Sequence, residues 1–210
     1  VTAIFPDGDG WQVRTAEGER HYADAVLLTA PLPQSLRLLD AGGVALPASH
    51  AATLAELRYA PCVALLVVLP RPSKVPEPGG FRPADGPVSW LADNRKKGIS
   101  PTTTLTVHAG RAFSEQAFDD ADESVATPLL AACADWVPAE PTEVTVHRWR
   151  YSRPGASHPG RYVSWLGPGP IALAGDAFGG ARVEGAAVSG LAAAGEVLRL
   201  LSQWRSPHGN

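Results

Sequence analysis

The sequence predicts a mixed fold of the α/β (α+β) class, with one domain built from both ends of the chain and an antiparallel-sheet domain inserted between them. A chain of 210 residues, 45% of them hydrophobic, can bury a core in one large domain or two small ones. Strand-length apolar runs dominate the middle, whereas the last third joins a short apolar run to a long helical pattern. We place the first domain at residues 1–44 and 168–210, and the inserted domain at residues 45–167.

The amino-terminal segment is predicted to contain three strands and two helices. Asp7–Gly10 and Ala16–Gly18 have the composition of hairpin turns, and they divide the first 30 residues into three alternating apolar runs. A short helix is expected from Pro33 to Leu39, because Gly42–Gly43 then supplies a helix end. A second helix is expected over about 48–57.

The inserted domain is predicted to begin with a central strand. Cys62–Leu69 is a continuous run of β-branched and leucine residues, which is typical of a strand buried on both faces. The proline-rich stretch 70–87 is expected to run over the surface as a loop. Two further strands are expected at Pro87–Ala92 and Thr102–His108.

A helical segment and another strand complete the inserted domain. The pattern from Phe113 to Trp136 is helical, and Pro128 is expected at a helix start or a kink rather than inside a helix. Glu143–Tyr151 alternates valines with polar residues, so this stretch is predicted to return to the sheet.

The last third of the chain predicts a strand, a carboxylate, a glycine turn and a helix in immediate succession. Ile171–Ala174 is the apolar strand, Gly175–Asp176 ends it, Phe178–Gly180 turns the chain, and a helix begins at Val183. The free N–H groups and the positive dipole end of such a helix point back at the turn and favour an anionic ligand. The small residues that share one face of this helix are Gly185, Ser189 and Ala193.

Asp176 has two interpretations at this point. A Gly-Asp pair often serves only as a turn or a helix cap. Here the pair follows a predicted buried strand and precedes a glycine turn that opens a small-residue helix. This context favours contact with a ligand, because open α/β sheets bind their ligands at the carboxyl ends of strands.

The stretch Ile171–Gly190 resembles the carboxyl-terminal flavin motif of FAD-dependent amine oxidases, most closely the bacterial renalase-like branch. The resemblance implies that the first domain is a partial FAD-binding domain and the inserted domain a substrate-binding domain. Segments similar to the strand meander that closes the FAD domain are Val1–Ile4, Asp9–Val13 and Tyr22–Gln34, and segments similar to the substrate domain are Tyr59–Cys62, Trp90–Asn94 and His147–Tyr151.

The resemblance implies that Gly175 and Asp176 contact the flavin, with the Asp176 carboxylate accepting a hydrogen bond from a ribityl hydroxyl. It places the backbone of Arg182, Val183 and Glu184 beside the flavin pyrimidine edge. N–H donors at a helix amino terminus stabilise the negative charge that builds up there when flavin is reduced. Glu184 is interpreted as a first-turn acid that complements the helix dipole rather than as a catalytic base.

The resemblance also implies cofactor and substrate contacts in other segments. Thr29 and Ala30 match a segment that passes the FAD phosphates, and a plain strand-to-helix connection is the alternative. Val1 matches a position whose backbone contacts adenine in relatives. The aromatic residues expected to line a substrate pocket, or alternatively to belong to the core, are Trp90, Trp149 and Tyr151.

The activity that the resemblance implies is the FAD-dependent oxidation of a small-molecule substrate. Hydride would pass from a substrate carbon or from NAD(P)H to flavin N5, and dioxygen would reoxidise the flavin. A desaturase or protoporphyrinogen-oxidase-like flavoenzyme and a non-catalytic globular fragment without cofactor are the alternatives. No residue is assigned a catalytic role, because the lysine that bridges to flavin N5 in many amine oxidases has no match; Lys96 and Lys97 lie in a predicted turn.

The sequence lacks the nucleotide-binding motif of a whole enzyme of this kind. It contains no G-x-G-x-x-G after a strand, and Gly8–Gly10 and Gly167–Gly169 are interpreted as a hairpin turn and a loop. It also contains no methionine. We therefore expect the amino-terminal half of the same polypeptide to be missing, and this chain alone to be inactive, to hold little FAD and to self-associate through uncovered surface.

Charge and composition argue against several other classes of function. The net charge is −3 and the largest basic cluster is Arg95–Lys97, which argues against nucleic-acid binding. The apolar runs are too short or too interrupted to indicate a membrane partner, and the histidines form no metal-binding motif. Cys62 and Cys133 are expected to be buried reduced thiols, which fits a cytoplasmic protein.

Overall fold

The computed structural model describes residues 1–205, so residues 206–210 of the predicted first domain lie outside the described residues. The chain divides into two compact units. We call Val1–Arg58 together with the chain from Pro154 onward the terminal unit, and Tyr59–Arg153 the inserted unit. These boundaries differ from those expected at 44/45 and 167/168, because a helix and a strand next to the boundaries pack within the terminal unit.

Three strands of the terminal unit form an antiparallel sheet. They are β1 (Ala3–Asp7), β2 (Gly10–Arg14) and β3 (Arg20–Ala23), in the order β1-β2-β3. Gly8 has a φ of 52° in the turn between β1 and β2, a conformation that glycine adopts without steric cost. Both predicted hairpin turns are confirmed.

The prediction of only three strands in the first 30 residues is wrong, because the third run forms two strands. The chain bends at Asp24, and β4 (Val26–Leu28) begins two residues later. β4 leaves the first sheet and pairs in parallel with β11 (Pro170–Leu173). All four residues of β3 are exposed, whereas β4 buries Leu28 where it pairs with β11.

A second sheet carries the segment that precedes the predicted site. Its order is β10-β11-β4, with β10 (Val163–Leu166) antiparallel to β11. All four residues of β11 are buried, which confirms the predicted strand. The helix α5 (Val183–Arg205) confirms the predicted helix and packs on this sheet through Ala193, next to Ala172 and Ala174.

Two helices of the terminal unit follow β4 along the chain, and both were expected from the sequence. They are α1 (Leu32–Ala41) and α2 (Ala48–Glu56). α1 ends at Gly42, where an added Cβ would overlap the carbonyl oxygen of Ile4. Glycine at this position therefore permits α1 to pack directly on β1.

The inserted unit is built on a five-stranded sheet with the order β6-β7-β8-β5-β9. The pairs β6–β7, β7–β8 and β5–β8 are antiparallel, as predicted. One face forms a buried core that includes Val63, Leu65 and Val107. The strands are β5 (Tyr59–Val68), β6 (Gly80–Phe81), β7 (Val88–Asp93), β8 (Thr104–Ala109) and β9 (Glu143–Pro154).

The helical segment of the inserted unit departs from the prediction. It forms two helices, α3 (Arg111–Gln116) and α4 (Asp122–Ala132), and Pro128 lies inside α4. The chain opens between them because the Arg148 guanidinium donates to backbone carbonyls of the connecting segment at 2.7–2.8 Å. Pro128 is tolerated because the adjacent Leu129 is fully buried, so tertiary packing offsets the lost helical hydrogen bond.

The proline-rich stretch 70–87 was expected to be a surface loop, but part of it is buried and part of it forms a strand. Val75 is fully buried, and the short strand β6 lies in the same stretch. The Ser73 hydroxyl donates to the buried Asp93 carboxylate at 2.5 Å, and the Lys96 ammonium donates to the Val75 carbonyl at 2.5 Å. Lys96 therefore belongs to a structural turn, as the sequence predicted.

The outer side of α5 is apolar and uncovered. Val183, Leu191 and Leu198 are 90%, 76% and 68% exposed, and we call these three residues the outer stripe. By length and composition alone, α5 could cross a membrane, a test that core helices of soluble proteins also pass.

The two cysteines, Cys62 and Cys133, are free thiols, as predicted.

Candidate functional site

Four of the predicted cofactor residues lie together at one edge of the second sheet. Thr29 and Ala30 follow β4, and Gly175 and Asp176 lie one residue beyond β11. Because β4 and β11 are parallel neighbours, their carboxyl ends meet at the same edge. An added Cβ at Gly175 would lie 3.3 Å from the Thr29 carbonyl oxygen, so the two segments are in close contact.

A glycine-rich loop connects this edge to α5. Gly175, Gly179 and Gly180 have φ values of 130°, 78° and 114°, which only glycine adopts readily. The Phe178 N–H donates to the Gly175 carbonyl at 3.0 Å, and the buried Phe178 ring anchors the middle of the loop. The loop is therefore compact and presents backbone rather than side chains along much of its length.

The amino terminus of α5 faces this loop. Gly185, in the first turn of the helix, is so close to the loop that an added Cβ would lie 2.9 Å from the Gly179 carbonyl oxygen and would overlap that of Gly180. The first N–H groups of a helix have no acceptor within the helix, and they carry its positive dipole end. The loop and the helix start thus form one concave backbone surface suited to negative charge.

A cavity of about 410 Å³ lies at this surface. The predicted residues Arg182 and Glu184 line it, while Val183 is mostly exposed at the helix start. Arg161, which the sequence analysis did not single out, lines it as well. No local pattern marks Arg161, because its place depends on how the segment before β10 packs against the loop.

The segment that carries Arg161 is fastened to the glycine loop by hydrogen bonds. The His158 N–H donates to the Ala177 carbonyl at 2.7 Å, and the rings of His158 and Phe178 lie 5.3 Å apart. The Ser189 hydroxyl of α5 donates to the Arg161 carbonyl at 2.6 Å and accepts from the Gly175 N–H at 2.9 Å. These bonds join the strand edge, the helix and the Arg161 segment into one framework.

A second cavity, of about 760 Å³, brings Val1 and Ala30 together. Three polar side chains of α1, Gln34, Arg37 and Asp40, line it as well. The predicted adenine-side residue Val1 and the predicted phosphate-side residue Ala30 therefore face one space. The sequence alone did not indicate the α1 side chains, because their direction depends on the packing of α1 against β1.

The three predicted substrate-pocket aromatics lie in the inserted unit and do not form one cluster. Trp90 is on β7, whereas Trp149 and Tyr151 are on β9, and the strands β8 and β5 separate them. Trp149 packs against His147 with ring centroids 4.3 Å apart. The sequence suggested that the three aromatic residues line one pocket, because it could not show this order of strands.

His108 is a further residue beside Trp90 that the sequence analysis did not single out. The two residues are direct cross-strand partners on β7 and β8. Burial lowers the pKa of His108, and the nearby Lys97 charge lowers it further. Both effects favour the neutral imidazole, which can donate or accept a hydrogen bond.

Comparisons with known proteins show the family to which this chain is related. Residues 1–198 match the family of flavin-containing amine oxidoreductases. The coproporphyrinogen III oxidases of Mycobacterium tuberculosis and Mycobacterium bovis are 31% identical over 156 residues, which cover 69% of this chain and 33% of each relative. The chain thus spans about a third of the length of these curated relatives.

Solved structures show the same fold. Cyclohexylamine oxidase from Brevibacterium oxydans superposes with a TM-score of 0.67 at 16% identity, over 96% of this chain and 48% of that chain. A protein described as a protoporphyrinogen oxidase from Exiguobacterium sp. superposes with a TM-score of 0.65 at 21% identity, over 94% and 46%. Since the family match extends over nearly all of the described residues, the chain belongs to the flavin-containing amine oxidoreductase family.

Proposed function

We propose that this chain forms part of an FAD-dependent oxidoreductase in which the loop from Gly175 to Glu184 holds the flavin. The observation that carries the proposal is the meeting of Thr29–Ala30 and Gly175–Asp176 at the carboxyl ends of two parallel strands, beside the start of α5. Ligands of open α/β sheets bind at this kind of edge. When bound, flavin would accept a hydride from the substrate and transfer the electrons to dioxygen.

The residues at this edge fit a flavin. The glycines of the loop let a flat ring approach the backbone at positions where a Cβ would block it. The Asp176 carboxylate is an acceptor suited to ribityl hydroxyls, and the N–H groups at the start of α5 would stabilise negative charge on the pyrimidine edge. Arg182 and Arg161 add positive charge beside the cavity.

The second cavity supports a role for the amino-terminal strands at the nucleotide end of FAD. Val1 and Ala30 would present backbone to the adenine and phosphate groups, as the family resemblance suggests. Arg37 is the cation that lines this cavity and could face a phosphate. Since the relatives contain at least twice the length of this chain, we propose that the remaining FAD contacts come from a further half of the protein.

We propose a renalase-like activity, with hydride drawn from a small organic substrate or from NAD(P)H. We propose that Trp90, Trp149 and Tyr151 of the inserted unit contact the substrate. We further propose that the protein is cytoplasmic and has no nucleic-acid or membrane partner. We also propose that the further half of the polypeptide covers the outer stripe on α5.

A porphyrinogen substrate is the second candidate. The observation that favours it is the 31% identity to the mycobacterial coproporphyrinogen III oxidases, together with the protoporphyrinogen-oxidase fold neighbour.

Spectroscopy of the full-length protein tests the proposed function. We expect a yellow protein with the visible absorption bands of oxidised flavin. Anaerobic addition of NADH, NADPH, a panel of amines or coproporphyrinogen III will identify the reductant, because only a true substrate bleaches the flavin at catalytic rates. A colourless full-length protein that takes up no FAD on reconstitution would contradict the proposal.

A further inference from the structure

Ser189 lies at the centre of the proposed flavin site without reaching its surface. The residue is fully buried on the inner face of α5. Its hydroxyl donates to the Arg161 carbonyl at 2.6 Å and accepts from the Gly175 N–H at 2.9 Å. One side chain therefore connects three separate parts of the chain, and each part contributes to the candidate site.

The two bonded groups belong to separate segments of the candidate site. Gly175 N–H lies at the point where β11 gives way to the loop, directly before Asp176. The Arg161 carbonyl lies in the segment whose side chain lines the cavity at the start of α5. A hydroxyl can satisfy both groups because it donates and accepts at once, whereas an alanine would leave both without this partner.

We infer that Ser189 is a positioning residue for the flavin: it fixes the backbone of Gly175–Asp176 and of Arg161 relative to the start of α5. This inference rests on the proposed function for its ligand, but the hydrogen bonds that carry it are present in the chain itself. Gly175 has a φ of 130°, which glycine alone adopts readily, and its N–H is bonded to the Ser189 hydroxyl. Without the Ser189 hydroxyl, the Gly175–Asp176 backbone and the Arg161 segment lose this direct hydrogen-bonded link to the helix.

Amide exchange of the chain alone tests the positioning step. In Ser189→Ala we expect the Gly175 amide to exchange at least about tenfold faster than in the wild type, since one hydrogen bond is lost. The neighbouring Ala174 amide, which donates to the Leu28 carbonyl at 2.9 Å, should not change. Unchanged Gly175 exchange, or equal acceleration at Ala174, would overturn the inference, because the hydroxyl would then not hold this loop in particular.

Flavin binding by the full-length protein tests the consequence. Ser189→Ala should weaken FAD binding by about tenfold and shift the visible spectrum of the bound flavin, and Ser189→Thr, which keeps a hydroxyl, should restore both. Ser202→Ala is the matched control, because its hydroxyl lies on the exposed side of the same helix and donates to the Arg199 carbonyl at 2.7 Å. Faster Gly175 exchange with unchanged FAD affinity and spectrum would overturn the positioning role.

The two measurements separate the possible failures. If the wild-type full-length protein binds no FAD, the proposed function fails and the flavin role of Ser189 fails with it, whatever the exchange data show. If the wild type binds FAD but Ser189→Ala behaves like Ser202→Ala in both measurements, only the inference about Ser189 fails.

Discussion

Asp176 is the side chain on which the proposed cofactor contact depends most. It follows a buried strand and precedes the glycine loop, so its carboxylate is held at the sheet edge. In the full-length protein, Asp176→Ala should weaken FAD binding by about 1.5–3 kcal/mol, the usual value for a hydrogen bond to a charged group. Titration of the deflavinated protein measures this, with Asp9→Ala in an exposed turn as the control. Unchanged affinity would reduce Asp176 to a turn residue.

Gly185 is the residue at which backbone packing can be tested most directly. Because a Cβ would overlap the Gly180 carbonyl, Gly185→Ala must displace the loop or the helix start. We expect a loss of about 1–3 kcal/mol in the free energy of unfolding, measured with urea. The control is Gly195→Ala on the same helix, where nothing lies within 4 Å and the change should stabilise the protein by about 0.5–1 kcal/mol. Equal effects of the two changes would contradict the close loop–helix contact.

His108 should make the inserted unit sensitive to acid. Burial and then the Lys97 charge lower the pKa of His108 below its usual value of 6.5, so the unfolded chain binds a proton in a pH range where the folded chain does not. Stability should therefore fall as the pH drops from about 6.5 towards the lowered pKa, and this contribution is absent at higher pH.

Urea unfolding of His108→Gln at a series of pH values measures this contribution. The variant should lose that part of the slope of stability against pH, whereas the same substitution at the exposed His21 controls for the removal of an imidazole. An unchanged slope in His108→Gln would show that the half-buried imidazole does not titrate differently in the folded and unfolded chain.

At the scale of elements, local signals predicted what depends on local chemistry. α1, α2, β11 and α5 follow from apolar periodicity bounded by glycine and proline, and all four formed as expected. The predictions of a single third strand and of one long helix were wrong, because both features depend on contacts between distant segments. The split at Asp24 depends on pairing with β11, far along the chain, and the break before α4 depends on Arg148 from β9. No local pattern reports either contact.

The prediction at the scale of elements concerns the helix α5. Its inner face is buried on the second sheet, while the outer stripe of Val183, Leu191 and Leu198 is uncovered. In this chain alone, we expect the stripe to bind a hydrophobic dye and to promote self-association, because exposed apolar patches of this kind normally contact a partner.

Substitution within the stripe tests this expectation. Leu191→Gln and Leu198→Gln together should reduce dye fluorescence and the apparent mass by light scattering. Leu66→Gln, at an exposed leucine of the inserted unit, should have a smaller effect. A monodisperse wild-type chain that binds no dye would contradict the expectation.

At the scale of the whole molecule, the sequence predicted the family and brought forward residues of the candidate site, but it did not predict how the segments around that site are joined. Asp176 and Thr29 could be placed because each follows an apolar strand, and the structure brings them to one sheet edge. Arg161 and Ser189 could not be assigned to the walls of the site, because their roles depend on hydrogen bonds between segments distant in the chain. The aromatic residues were expected in one pocket, yet the strand order separates Trp90 from Trp149.

The most direct test of the central claim, that this strand edge, loop and helix start form the flavin site, is an NMR titration of this chain with FAD. Binding should be weak, because we propose that further FAD contacts come from outside this chain. The titration therefore extends to millimolar FAD, about the range of weak complexes. We predict that the amide signals that shift are those of Thr29–Ala30, Gly175–Asp176 and Arg182–Glu184, and that those of the inserted unit's core do not. Shifts confined to the inserted unit, or none at saturating FAD, would contradict the account.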